Sequence, residues 1–171
     1  MGGTITFESE KGVGTTFMIQ IPFRIDTEAD TRIKQEERSK ASIQGLHILL
    51  VEDNDLNMEI AEFVLENEGA IVIKAENGKE AVDIFQSSGI GECDAILMDI
   101  MMPVMDGLTA SRIIRAMDRL DARTIPIIAM TANAFAEDMQ KCLDAGMNAY
   151  LAKPLEVQKV IAVIAQGCNN S

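Results

Sequence analysis

The spacing of hydrophobic positions changes along the chain, and each change predicts a different kind of structure. Residues 4–21 form two β-rich runs around the polar turn "SEKGVG", which predicts a β-hairpin. Residues 24–42 are polar and charged without an apolar face, which is typical of a linker. From Gly45 onward, short apolar runs alternate with segments of helical spacing, which predicts repeated βα units.

Five βα units follow from this alternation. The predicted strands are 47–51, 70–75, 95–98, 125–130 and 149–151. Five helices are predicted between and after these strands. The second covers residues 77–85, and apolar residues at helical spacing mark the other four: Leu56, Ile60, Phe63 and Val64 in the first; Leu108, Ile113, Ile114 and Met117 in the third; Phe135, Met139 and Leu143 in the fourth; Val157, Val160, Ile161 and Ile164 in the fifth. Gly69 ends the first helix and Gly146 ends the fourth. Uniformly apolar strands indicate a doubly wound α/β fold, a parallel sheet covered by helices on both faces.

Composition narrows the class of protein. The 171 residues are 47% hydrophobic and 25% charged, which is typical of a folded, soluble chain. No apolar run approaches the roughly 20 residues of a membrane helix, and no signal peptide opens the sequence. We therefore expect a cytoplasmic location and no membrane contact by this chain. Its three widely spaced cysteines are expected to be reduced thiols: Cys93, Cys142 and Cys168.

Charge is distributed unevenly. The net charge is -12, and residues 1–43 carry 6 basic and 7 acidic side chains, against 9 and 20 in the remainder. A surface this acidic repels a phosphate backbone, so we expect no direct binding of nucleic acid.

Charged and polar side chains follow the ends of four predicted strands. Glu52 and Asp53 follow the first strand, Asp99 the third, Thr131 the fourth and Lys153 the fifth. The carboxyl ends of parallel strands meet at one edge of the sheet, so these groups should lie together. Because burying a charge is costly, we expect Asp99 to be presented at this edge rather than buried.

These groups suit phosphoryl chemistry with a metal. Three neighbouring carboxylates repel unless a cation shares them, and Mg²⁺ prefers a few carboxylate oxygens plus waters. An aspartate beside Mg²⁺ can attack phosphorus and form an aspartyl-phosphate, while Lys153 neutralises the transferred oxygens. Single acids after strands are more often helix caps, which is the expectation for Asn54 or Asp55 and for Asp106.

Four motifs in order make residues 45–166 resemble the receiver domain of two-component response regulators. They are "LLVEDNDLN", "ILMDIMMPVMDG", "AMTANA" and "YLAKP". The resemblance implies a flavodoxin-like sheet with strand order 2-1-3-4-5. It also implies Asp99 as phospho-acceptor, with Mg²⁺, or Mn²⁺ as an alternative, held by Glu52, Asp53, Asp99 and the Met101 backbone carbonyl. Glu52 replaces a commoner Asp, which leaves open whether it binds metal directly or through water.

The same resemblance assigns roles around the acceptor. It implies that Thr131 and Tyr150 form a switch, and that a cis peptide between Lys153 and Pro154 aims the amine inward. Asn57 and Asn133 border the same edge and are candidates for tuning phosphoryl lifetime, with solvated helix-start residues as an equal alternative.

The opening hairpin resembles a second family. "GGTITFESEKGVGTTFMIQIPF" is similar to the last two strands of the ATP-binding domain of sensor histidine kinases. This predicts the C-terminal part of a hybrid histidine kinase: residues 1–23 a hairpin from that domain, 24–44 a linker and 45–171 a receiver. The other ATP-binding motifs are missing, and the only histidine, His47, begins a strand. We therefore expect a phosphoacceptor that does not use ATP.

The resemblance also implies partners. The donor would be the phosphohistidine of a histidine kinase, the recipient a histidine phosphotransfer protein, and a homodimer is left open. Two alternatives are a haloacid-dehalogenase-like phosphohydrolase and a degenerate receiver that only binds proteins. The first family has a second Asp two residues after the nucleophile, where this chain has Met101.

Overall fold

The computed structural model describes residues 3–12, 14–22, 42–132 and 136–169. The chain divides into two compact units, with the described hairpin in the first and residues 42–169 in the second. In these described ranges no helix is long and apolar enough to cross a membrane.

The first unit contains the predicted β-hairpin. Strands β1 (Thr4–Glu10) and β2 (Gly14–Gln20) pair antiparallel, with Phe7 opposite Phe17 and their ring centroids 6.0 Å apart. Among the described residues of this unit, the large apolar side chains are all more than 40% exposed: Ile5, Phe7, Phe17, Met18, Ile19 and Ile21. A two-stranded hairpin with an open apolar face is marginally stable on its own in water.

The described residues of the second unit form a five-stranded parallel sheet and five α-helices. Its strands are β3 (His47–Val51), β4 (Ile71–Ala75), β5 (Ala95–Asp99), β6 (Ile127–Thr131) and β7 (Ala149–Ala152). Its helices are α1 (Asp55–Asn67), α2 (Gly78–Ser87), α3 (Gly107–Ala116), α4 (Ala136–Asp144) and α5 (Val157–Asn169), with a 3₁₀ turn at Leu120–Arg123. The strand order is β4-β3-β5-β6-β7, the predicted 2-1-3-4-5 arrangement.

Alternate strand residues enter two cores, one on each face of the sheet. Leu49, Val51, Ile96, Met98, Ile127 and Ala129 pack with α2 and α3, whereas Ile48, Leu50, Leu97, Ile128 and Met130 pack with α1 and α5. Each fully buried aliphatic side chain contributes roughly 1.5–3 kcal/mol, so the central strands form a firm base for the groups at their ends.

The predicted buried face of the first helix is wrong. Leu56, Ile60 and Phe63 of α1 are 51–67% exposed, and Met58, Ala61 and Leu65 pack on the sheet instead. Both sets have helical spacing, so periodicity alone cannot choose between them. The short connection from β3, in which Asn54 caps the helix through the Asn57 N–H at 3.0 Å, fixes the rotation of α1.

A smaller error concerns α4. Leu143, predicted to line the core, is 55% exposed, and Cys142 on the same helix is buried. Phe135 and Asn133 lie outside the described residues.

Candidate functional site

The register of the sheet brings the acids together. Val51 of β3 pairs with Met98 of β5, so Glu52 and Asp99, the residues that follow them, leave neighbouring strands side by side. On the other flank, Thr131 of β6 pairs with Ala152, and Lys153 comes next after β7. The backbone N–H of Lys153 donates to the Thr131 carbonyl at 2.8 Å, which extends this pairing by one residue.

Lys153 bridges two buried carboxylates. Its Nζ lies 2.7 Å from Asp99 Oδ2 and 2.5 Å from Glu52 Oε2. Asp99 is only 7% exposed and Glu52 only 3%, so the expectation that Asp99 is presented rather than buried is wrong. The reason is the ion pair. The positive charge of the ammonium group compensates the negative charges of the two carboxylates, whose burial without it would be very costly.

The lysine is held in its charged form. Partial burial lowers the pKa of Lys153, but hydrogen bonds to Asp99 and Glu52 and their negative charges outweigh burial and raise it overall. The Lys153–Pro154 peptide bond is cis, as the resemblance implied.

The acids form a cluster suited to a hard cation. Glu52, Asp53 and Asp99 each offer a carboxylate oxygen, and these three atoms lie within 4.8 Å of one another. Asp53 is exposed, so solvent reaches one side of the cluster. Mg²⁺ takes one or a few carboxylate oxygens, keeps several waters and accepts a phosphate oxygen, so the residues present fit this ion.

The loop after β5 is closed around the acceptor. The Met101 backbone N–H donates to Asp99 Oδ1 at 3.3 Å, and the Gly107 N–H donates to the Ile100 carbonyl at 3.0 Å. Asp106 caps α3 by accepting from the Thr109 N–H at 2.8 Å, which lowers the pKa of the Asp106 carboxyl. The expectation that Asp106 and Asn54 are helix caps is thus confirmed.

Two features of this site went unrecognised in the sequence. A Cβ on Gly107 would lie 2.1 Å from the Asp99 carbonyl oxygen, so only glycine allows the start of α3 to approach β5 so closely. Asn57 donates from Nδ2 to Glu52 Oε1 at 3.0 Å, a contact more specific than a position bordering the site. The sequence held a signal for each feature: Gly107 follows the Asp106 cap directly, and Asn57 is a polar residue in the first turn of α1.

A cavity of about 330 Å³ opens beside the acceptor. It is lined by Asp99, Ile100, Met101, Leu108, Thr131, Ala132, Lys141 and Lys153. Thr131 is buried at the end of β6 and lines this cavity with Asp99 and Lys153, so the three strand ends meet at one edge of the sheet, as predicted.

Comparison with known proteins assigns this arrangement to a family. Residues 48–165 match the response regulator receiver domain. The chain belongs to this family. The receiver domain of sensor histidine kinase PA1611 from Pseudomonas aeruginosa PAO1, solved with magnesium coordinated in its active-site cleft, is 42% identical. That likeness has a TM-score of 0.66 and covers 73% of this chain and 98% of the other.

Relatives of this chain include a sensor protein and histidine kinases. The aerobic respiration control sensor protein ArcB of Escherichia coli K12 is 39% identical over 166 residues, covering 96% of this chain and 20% of that protein. The receiver domain of Ssk1 from Saccharomyces cerevisiae, crystallised with the histidine phosphotransfer protein Ypd1, is 31% identical with a TM-score of 0.62, covering 69% and 85% of the two chains. The chain spans about a fifth of the length of the curated relatives it matches.

Membership of the receiver family also argues against one of the two expected alternatives, the phosphohydrolase. A phosphohydrolase of the haloacid-dehalogenase type needs a second acid at the position of Met101, whose side chain is 80% exposed and apolar. The family match and this residue favour the receiver over the phosphohydrolase.

Tyr150 lies on the outer side of the receiver. It stands on β7, pairs with Ala129 of β6 and is 44% exposed. It lines a surface cavity of about 420 Å³ with Lys153, Pro154 and Lys159. Lys153 also lines the cavity beside Asp99, so it contacts both the acceptor region and the surface around Tyr150.

Proposed function

We propose that this receiver accepts a phosphoryl group from a phosphohistidine onto Asp99, and then passes it on or releases it by hydrolysis. The observation that carries this proposal is the position of Asp99, buried at the end of β5 with Lys153 Nζ 2.7 Å away and two further carboxylates in the same cluster. The Asp99 carboxylate is thus the nucleophile, with a counter-ion beside it and a site for a hard cation around it.

The transfer follows from these groups. A carboxylate oxygen of Asp99 attacks phosphorus, the new O–P bond forms as the P–N bond breaks, and the electron pair returns to the imidazole nitrogen. Lys153 and Thr131 line the same cavity as Asp99, and the ammonium and the hydroxyl would donate to the transferred oxygens there. When bound by Glu52, Asp53, Asp99 and the Met101 carbonyl, Mg²⁺ would neutralise charge on those oxygens, and Mn²⁺ shares the preference for such ligands.

We place this receiver at the C-terminal part of a hybrid histidine kinase. Residues 1–23 would be the last hairpin of its ATP-binding domain, 24–44 a linker and 45–171 the receiver. The apolar side chains of the hairpin, Ile5, Phe7, Phe17 and Ile19, are exposed in this chain, which is expected of strands that belong to a larger sheet. Relatives several times longer than this chain include histidine kinases.

The exposed face of α1 supports docking of a phosphotransfer partner. Leu56, Ile60 and Phe63 form an apolar stripe that begins at the end of the helix next to the acid cluster. Exposed apolar stripes of this kind mark interaction sites, and a histidine phosphotransfer protein is the partner with which the Ssk1 receiver was crystallised.

Ile60→Glu is therefore expected to slow phosphoryl transfer from a phosphorylated histidine phosphotransfer protein by about ten-fold or more. The charge would stand in the apolar contact, while labelling by acetyl phosphate should be unchanged because the acceptor itself is intact. Radiolabel transfer and intact mass measure the two reactions. Ile90→Glu is the matched control, since Ile90 is comparably exposed in the loop before β5, away from α1 and the carboxyl ends of the strands. Equal losses with both donors would refute docking through α1.

Thr131 and Tyr150 are proposed to form the switch. A phosphoryl oxygen on Asp99 would draw the Thr131 hydroxyl inward, and the space it leaves would admit the Tyr150 ring. Beryllofluoride with Mg²⁺ should then shift amide signals across residues 131–152, whereas Thr131→Ala should still accept phosphoryl but lose the distant shifts. Shifts confined to the surroundings of Glu52, Asp53 and Asp99 in the unaltered chain would contradict the switch.

A further inference from the structure

The two carboxylate oxygens of Glu52 have different partners. Oε2 accepts from Lys153 Nζ at 2.5 Å, on the side facing Asp99. Oε1 accepts from Asn57 Nδ2 at 3.0 Å, on the side facing α1. Glu52 is 3% exposed, so its carboxylate has little freedom to exchange one oxygen for the other.

Asn57 is itself fixed by the start of α1. Its backbone N–H donates to the side chain of Asn54, the N-cap of the helix, at 3.0 Å. In a capping box the side chain at this position of the helix reaches back to the N-cap N–H. Here the Asn57 side chain instead reaches further back to Glu52. This bond contributes nothing to capping and directs the amide group at the carboxylate. Asn57 is an exposed residue, so replacing its side chain leaves no buried cavity.

We propose that Asn57 is a positioning residue that restricts Glu52 to one ligand oxygen and thereby makes the site prefer Mg²⁺ over Ca²⁺. This rests on the proposed metal site. Ca²⁺ takes six to eight oxygens and readily accepts a bidentate carboxylate, whereas Mg²⁺ requires near-octahedral single contacts. Lys153 donates to Oε2 but also to Asp99, so an ion could take its place at Oε2 while the ammonium keeps Asp99, whereas Asn57 stays on Oε1. Glu52 would then offer the ion Oε2 alone, a donor that suits the smaller ion.

The test compares the dissociation constants of Mg²⁺ and Ca²⁺, measured by isothermal titration calorimetry on the whole chain. Asn57→Ala should shift the ratio of the two constants roughly ten-fold towards Ca²⁺, because the released Oε1 becomes available for a bidentate contact. A purely structural role would weaken both ions together and leave the ratio unchanged. Asn67→Ala, at the exposed far end of the same helix, is the matched control and should leave both constants unchanged.

A double variant isolates the hydrogen bond between Asn57 and Glu52. In Glu52→Gln the side chain has a single oxygen and cannot be bidentate, so adding Asn57→Ala should leave the ratio where Glu52→Gln puts it. An unchanged ratio for Asn57→Ala alone, with Mg²⁺ still bound by the unaltered chain, overturns the role of Asn57 only. Failure of the unaltered chain to bind Mg²⁺ overturns the proposed metal site as well.

Discussion

Lys153→Met will lower the free energy of unfolding of the metal-free protein by about 3 kcal/mol, since it leaves two buried carboxylates without their cation. Glu52 and Asp99 share the Lys153 ammonium at 2.5 and 2.7 Å, and methionine supplies no positive charge in its place. Mg²⁺ should recover much of the loss, because the ion supplies the missing positive charge at the same carboxylates. Urea denaturation with and without MgCl₂ measures both effects.

A surface lysine provides the control for this variant. Lys159 pairs with Glu156 at 2.7 Å, but both side chains are about two-thirds exposed, so Lys159→Met should cost less than about 1 kcal/mol. If Lys153→Met costs no more than Lys159→Met, or if Mg²⁺ stabilises it no better than the unaltered chain, Lys153 is not the counter-ion of the site.

Gly107→Ala is expected to have the next largest effect, a loss of about 2–3 kcal/mol of stability together with slower phosphorylation. The new Cβ would meet the Asp99 carbonyl oxygen at 2.1 Å and Met98 Cγ at 2.8 Å, so backbone must move. That movement would displace the acceptor and disturb the Gly107 N–H bond to Ile100. Thermal denaturation and the rate of labelling by acetyl phosphate report the two consequences.

Gly91→Ala separates packing from backbone strain. Gly91 has a φ of +77° but nothing within 4 Å of an added Cβ, so its substitution should cost about 1–2 kcal/mol and leave labelling unaffected. Slower labelling in Gly107→Ala alone would tie the effect to the contact with Asp99. Unchanged labelling in both variants would contradict it.

The sheet and its order could be predicted because apolar strand runs and helical spacing are local properties of the sequence. The placement of Glu52, Asp99, Thr131 and Lys153 followed from the same pattern, since parallel strands end at one edge. The rotation of α1 could not be predicted. Two stripes of helical spacing compete there, and only the short, capped connection from β3 decides between them.

The environment of the acceptor depended on long-range contacts. Lys153 lies 54 positions from Asp99 in the sequence. Burial of the Asp99 carboxylate could be predicted only by someone who already knew that the two residues pair. The Asn57 contact was also out of reach, because an Asn in the first turn of a helix has several partners within range and the sequence does not choose among them. Gly107 required knowledge of how closely α3 approaches β5.

The central claim is that Asp99 accepts the phosphoryl group, and intact mass spectrometry after treatment with acetyl phosphate and Mg²⁺ tests it most directly. We predict the mass of one added phosphoryl group, dependent on divalent metal, absent with ATP as donor and absent in Asp99→Asn. Asp106→Asn is the matched control: asparagine caps helices as well as aspartate does, so this variant should be labelled normally. Labelling that survives Asp99→Asn, or no labelling of the unaltered chain, would contradict the account, and the latter would favour a receiver that only binds proteins.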